Sequence, residues 1–255
     1  MNKYIKVVLT LFAFCTLFAK LYSQDKELIW HRADSLYSIA DYESALKEYE
    51  SLESAGYSSW QLYYNIGNCH FKKSGYGLSI LYYERALRLN PSGKDILFNL
   101  DFARQFTIDK IDVVPEFVLN TWIRDVNYTL SSDIWASISL VFLGLAALLL
   151  LCFRYGPTSF SRKIAFFGAI VALLVVIVST LFAWNQRNAF HKEDEAIVLS
   201  PVSTVRNSPD NSGSTLFILH EGTKVELVEG LGDWRRIELS DGRQGWIAAA
   251  DIEII

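Results

Sequence analysis

The chain has 255 residues, 51% of them apolar and 20% charged, with a formal net charge of -4. An acidic balance with a pI near 5.6 excludes general attraction to nucleic acid or to anionic headgroups. Three cysteines and four scattered histidines leave no disulfide framework, and no Cys/His spacing of metal-site type accompanies them, so no cofactor or metal is expected.

Residues 1–23 have the layout of a secretory signal. Lys3 and Lys6 precede an apolar run from Val7 to Phe18, and small Ser23 marks the cleavage point. Cys15 follows Phe14 rather than a small residue, which argues against a lipid-bearing variant.

From 25 to 106 the periodicity is helical. A shift of 34 residues superposes Ala33 on Gly67, Tyr42 on Tyr76, Ala45 on Ser79, Tyr49 on Tyr83 and Tyr57 on Pro91. Five helices are predicted, at 26–39, 42–55, 60–74, 76–89 and 93–106. Ser58 with Gln61, Asp41, and Ser92 with Asp95 serve as expected helix starts. Small residues at the superposed positions allow close helix approach. The period and "YYERALRLNP" resemble the tetratricopeptide repeat, over about a third of the chain. The resemblance implies two repeats plus a capping helix, with the first helix of each unit lining a concave surface. The positions facing that groove would include Trp30, Asp34, Tyr64, Asn65, Asn68, Phe71, Asn99 and Phe102, whose rings and amides suit an extended peptide. The Lys/Asn pair by which some such domains hold a carboxylate tail is not reproduced, since Trp30 and Asp34 stand there.

Residues 107–133 read as a linker with an amphipathic, interfacial character, from Trp122, Ile123, Val126 and Tyr128. Two uncharged apolar segments follow, 134–153 and 164–184, each long enough as a helix to cross a hydrocarbon layer of about 30 Å. The loop between them, 154–163, carries Arg154, Arg162 and Lys163, which places it in the cytoplasm and both flanking regions on the outer side. No charged residue lies within either span, so the marks of a transport path are missing. Gly168 with Ala172, facing Gly144 and Ala147, would permit close contact between the spans.

After a polar linker, 185–195, the period changes to that of strands, expected at 196–199, 203–206, 216–219, 224–229, 234–239, 244–247 and 252–254. A small barrel of five or so strands would bury Val225, Leu227, Ile237, Leu239 and Ile247. The stretches "TVRNSPDNSGSTLFILHEGTKVELVEG", "DWRRIEL" and "GRQGWIAAADI" resemble a bacterial SH3-type domain over 196–255. That resemblance implies contact with cell-wall peptides or proteins. Trp234 and Trp246 are the candidate surface, with half-buried core as their other reading.

Catalysis is not expected. No HExxH, GxSxG or phosphate-loop pattern occurs, and Cys69 and His70 diverge on a helix. The fold class is therefore multidomain: an all-α helical array, a two-helix transmembrane hairpin and a small all-β barrel. This order of parts, with "NLDFARQ" after the repeats, resembles the BatE-like members of the Bacteroides aerotolerance family. It implies a bacterial inner-membrane scaffold with both domains in the periplasm. The implied partners are von Willebrand factor A type membrane proteins and a MoxR-type ATPase system, in envelope integrity or oxidative-stress tolerance. A wall-binding or wall-sensing anchor, with peptidoglycan as ligand, is the alternative.

Overall fold

The computed structural model describes residues 26–111, 118–191 and 194–255. The expected signal segment, 1–23, lies outside the described residues. Two compact units result: one joins the chain up to Asp112 with Asp194–Ile255, the other is Val113–Glu193.

The first unit begins with five helices: α1 (26–38), α2 (Tyr42–Ser54), α3 (Trp60–Lys72), α4 (Tyr76–Leu89) and α5 (Lys94–Arg104). Their turns repeat. Ala40 after α1 and Ser74 after α3 both have φ of 63°, and each lies in the same C-terminal motif. Asp41 N–H donates to Leu36 C=O at 3.0 Å, and Gly75 N–H to His70 C=O at 2.9 Å. Asp41 caps α2 as expected, accepting from Ser44 N–H. The other two expected caps are displaced. Ser59, not Ser58, has the extended backbone and its Oγ accepts from Leu62 N–H. Gly93 precedes α5 without a side-chain cap, while Ser92 turns to the Asn90 side chain.

The superposed small residues sit where helices approach. Ala33, Ala45 and Ser79 are fully buried, and a Cβ on Gly67 would lie 2.7 Å from the Tyr83 ring. Around Ala33 and Ala45 a first core gathers Leu46, Tyr49, Leu52, Leu62, Ile66 and Cys69.

The second part of this unit is a seven-stranded antiparallel sheet: β1 (Glu195–Val198), β2 (Val202–Arg206), β3 (Thr215–His220), β4 (Lys224–Leu231), β5 (Trp234–Glu238), β6 (Gln244–Ala248) and β7 (Ile252–Ile254). All seven expected strands are present, in the spatial order β3-β2-β6-β5-β4-β1-β7 with β3 and β7 at the ends, so the sheet uses two more than the five or so expected to build the barrel. Its core is Ala196, Val198, Val205, Leu219, Val225, Ile237, Leu239 and Ile247.

Helices and sheet share a further core. Ile197 and Ile255 are buried with Ile80, Leu81, Tyr83, Ala86, Ile96, Leu100 and Ala103 of α4 and α5, and Leu199 packs on the same cluster. Strand β1 thus sends Ala196 and Val198 into the sheet core and Ile197 into the helical core. Around this joint lies a belt of charge. Glu84, nearly buried, accepts from Arg104 at 2.6 Å and Lys224 at 3.1 Å, and Lys224 also reaches Glu195 at 2.9 Å. Burial works to lower the Lys224 pKa, but Glu84 and Glu195 outweigh it and hold the ammonium above its ordinary value. Arg85 donates to Ile254 C=O at 2.8 Å and to Glu253, and Arg88 donates to Ile255 C=O.

The stretch after α5 is part of this joint rather than a free linker. Asp109 accepts from His220 N–H at 2.7 Å and from the Thr223 hydroxyl at 2.7 Å, and its other oxygen lies 2.9 Å from His220 Nδ1. Burial pushes the Asp109 carboxyl up, yet these bonds prevail and hold it below the ordinary value. Ile111 packs on the sheet core. At the β3–β4 turn Gly222 has φ of +86°, and a Cβ there would lie 2.5 Å from Thr107 and 3.0 Å from Ile80, so glycine is required twice over.

The second unit holds α6 (Val118–Tyr128), α7 (Ser132–Tyr155) and α8 (Ser159–His191). Two helices, Ser132–Tyr155 and Ser159–Asn188, are long and apolar enough to cross a membrane. They run past the apolar limits read from the sequence, and only Gly156, Pro157 and Thr158 separate them. The basic residues of the expected loop sit on the helix ends, where Arg162 Nε donates to Gly156 C=O at 2.8 Å. The contact between α7 and α8 uses Ala146, Ala165, Ala169 and Ala172, all nearly fully buried, with a 2.8 Å hydrogen bond between Ser139 and Thr180. Gly168 meets Leu149 there, but Gly144 and Ala147 are exposed, contrary to expectation: those two lie on the face of α7 turned away from Ala146.

Candidate functional site

The eight candidate groove residues fall on α1, α3 and α5 and form two groups. The first is polar and repeats at the 34-residue period. Tyr49 O–H donates to Asp34 and accepts from Asn65 Nδ2 at 3.3 Å. One repeat on, Tyr83 O–H donates to Asn68 Oδ1 at 2.6 Å, while Asn99 Nδ2 donates to Asn68 Oδ1 at 3.0 Å and to the Tyr64 hydroxyl at 2.8 Å. Asp34 corresponds to Asn68, Tyr49 to Tyr83 and Asn65 to Asn99. The buried tyrosines act as keystones between successive helices, and burial raises the pKa of both well above the ordinary phenol value. The Asn65 and Asn99 amides thus donate to side chains of neighbouring helices, and the Asn68 oxygen accepts from two of them. Trp30 stands edge-on to Tyr49 and to Tyr57, and Tyr64 leans on Tyr83.

The second group is aromatic. Phe71 touches Phe102, Phe106 and Tyr76, with ring centroids 5.5 to 5.6 Å apart, and Phe98 stacks on Phe102. Phe98 is 71% exposed, Phe102 41% and Phe106 47%. Phe98 and Phe106 are absent from the sequence-based set although Phe98, Phe102 and Phe106 follow one another at four-residue spacing, a stripe that was open to inspection.

Across the sheet, Trp246 lies on the outer face, between the inward-facing Gly245 and Ile247. It pairs with Arg206 of β2 on one side and Arg236 of β5 on the other. Trp234 lies two residues before Arg236 and so on that same face, opposite Ala248 and the exposed Leu231. Both tryptophans are half-buried, and neither is among the side chains packed on the sheet core. Arg206 is held by its own loop, donating to Gly213 C=O at 2.7 Å.

Residues 201–253 match the bacterial SH3 domain family. The matched stretch begins after β1, the strand that faces both cores. A search of curated proteins finds no significant match.

Cys69 and His70 are both buried on α3. Burial pushes the Cys69 thiol up to about 12 and the His70 imidazole down to about 4, so one stays protonated and the other neutral near pH 7. Among the described residues no group of His, Cys, Asp and Glu is placed to hold a metal.

Proposed function

We propose that the protein is a non-catalytic scaffold of a bacterial inner membrane. In this reading the five helices are a short tetratricopeptide-like array, the two apolar helices span the membrane, and both parts of the first unit face the periplasm. The observation that carries it is the shared core of Ile197 and Ile255 with α4 and α5, which holds the aromatic groove and the SH3 face in fixed register. A partner engaging both faces would meet one preorganised surface, with little ordering cost. The recurrence of the tyrosine-centred bonds and helix-end motifs at 34 residues supports the repeat reading. By resemblance, partners of von Willebrand factor A type and a MoxR-type ATPase system are the first to examine.

A second reading, a wall-binding anchor, draws on the outward-facing Trp234 and Trp246 of the bacterial SH3 domain. One experiment separates them. A photo-crosslinker placed at Phe98 in intact membranes should capture one identified protein, and Phe102→Asp should abolish the capture. Co-sedimentation of the purified full chain with wall sacculi, lost in Trp246→Ala, together with no protein cross-link, would replace the scaffold by the wall-binding anchor.

A further inference from the structure

Helix α6 is short and two-sided. Trp122 and Val126 share one face with Ile123 beside it, while Asn120 and Asn127 lie about 140–160° round the helix from Trp122. The polar side is the one that meets the hairpin. Asn120, Asn127 and Tyr128 line a cleft against Leu181, Phe182 and Trp184 of α8, and Asn127 is 2% exposed. Trp122, on the opposite side, is 65% exposed. A helix that lies on a water-soluble protein has the reverse arrangement, with its apolar stripe inward and its polar face out.

Hydrogen bonds fix where along the hairpin this helix ends. The Asn127 main-chain oxygen accepts from Trp135 Nε1 at 2.8 Å and from Gln186 Nε2 at 2.6 Å. Gln186 also donates to Asn127 Oδ1 at 3.1 Å and to Leu130 C=O at 2.9 Å. Trp135 lies in the first turn of α7, and Gln186 comes just after Trp184, where the apolar run of α8 ends. The end of α6 is therefore pinned at the level where both spans leave the hydrocarbon. Trp135, Trp184 and Tyr128 gather there, residue types that favour the membrane–water boundary. A helix of 11 residues is marginal by itself in water and draws most of its stability from burying an apolar face. Here that face is turned away from α8.

We propose that the Trp122 face of α6 rests in the lipid boundary, at the end of the hairpin from which both tethers leave. The proposal rests on the reading of α7 and α8 as membrane spans. At that level the occupant that meets a laterally directed apolar face is the boundary between headgroups and acyl chains, into which such helices sink by about 5–10 Å. The contact is apolar. The chain's net charge of -4 gives no general pull toward anionic headgroups, so a neutral lipid suffices. Helix α6 is then a third membrane contact, and it ties the chain ahead of α7 to the bilayer surface.

The test uses the full chain in phosphatidylcholine vesicles, with Cys15→Ala and Cys152→Ala, and Cys69 left in place because it is buried. A nitroxide label is placed on Trp122→Cys, Val126→Cys or Asn120→Cys, and its collisions with oxygen and with a water-soluble nickel chelate are measured. Oxygen concentrates among acyl chains and the chelate stays in water. Labels at Trp122 and Val126 should meet oxygen and lose access to nickel, while the label at Asn120 keeps it. Trp122→Asp should return the Val126 label to nickel. Should Trp122→Cys loosen α6, Val126→Cys still reads the same face. A label at Leu143→Cys, exposed within α7, reads the span independently. Nickel reaching the Trp122 and Val126 labels while the Leu143 label meets oxygen alone would overturn the proposal and leave the spans standing. Low access to both reagents at Trp122 and Val126 would overturn it too, since protein would then cover the face. Nickel reaching Leu143 would remove the spans and the proposal together.

Discussion

Truncating Ile197 to alanine reads directly whether the helices and the SH3 domain stand or fall together. Ile197 is fully buried, and its side chain lies among Ile80, Leu81, Tyr83, Ile96 and Leu100 while its main chain pairs with β4 and β7. Alanine keeps the strand but removes three carbons, at about 0.8 kcal/mol each, and adds a cavity term, for about 3 kcal/mol in all. Hydrogen exchange of the full chain resolves where that loss is felt. Amides that open only with the joint should exchange about a hundredfold faster, in α4 and α5 as much as in β1 and β7. Acceleration confined to the strands, with α4 and α5 unchanged, would refute the shared core as a stability unit.

Two further outcomes follow from local chemistry. His70 is 9% exposed and stacks on Tyr82; burial, with Lys73 adding, lowers its pKa to about 4. The unfolded chain therefore binds a proton below about 6.5 that the folded chain refuses until about 4, so stability is lost as pH falls through that window. Between pH 7 and 4.5 the loss should be roughly 2 to 3 kcal/mol, and His70→Phe should flatten that part of the denaturation profile; an unchanged slope would contradict it. Ser74, exposed with φ of 63°, occupies a position that favours glycine, so Ser74→Gly should stabilise the array by about 0.5–1 kcal/mol in a denaturant titration. A lower midpoint would argue against the helix-end geometry.

Much of the fold is legible in local pattern. The strands alternate, the helices recur at a fixed period, and the spans lack charge, each a signal that needs only neighbouring residues. Displaced features depend on finer choices: Ser58 and Ser59 are equally good caps by type, and only the extended backbone of Ser59 decides between them. The joint depends on contacts far apart in sequence. Its one local trace is the unbroken run of Ala196, Ile197, Val198 and Leu199, a pattern of burial on both faces rather than on one. Asp109 and Ile111 sit in a stretch with no clear period, and nothing in it foretells His220 or Thr223 as partners. The candidate groove residues were half legible. They do line up on α1, α3 and α5, but whether an asparagine faces a ligand or a tyrosine hydroxyl is settled by the neighbouring helix, which the spacing alone does not show.

Strand β1 also sets how the assembly answers a pulling force. A pull on the chain ahead of β1, directed along the strand, loads that strand first. Antiparallel partners flank it on both sides, β4 and β7, and their hydrogen bonds run across the direction of pull. Such a ladder resists in shear, with its bonds loaded together rather than unzipped one by one. Ile197 adds a peg into α4 and α5, and Asp109 anchors the other exit of the chain to the β3–β4 turn. A load directed along β1 thus meets the sheet's hydrogen bonds before it reaches α4 and α5.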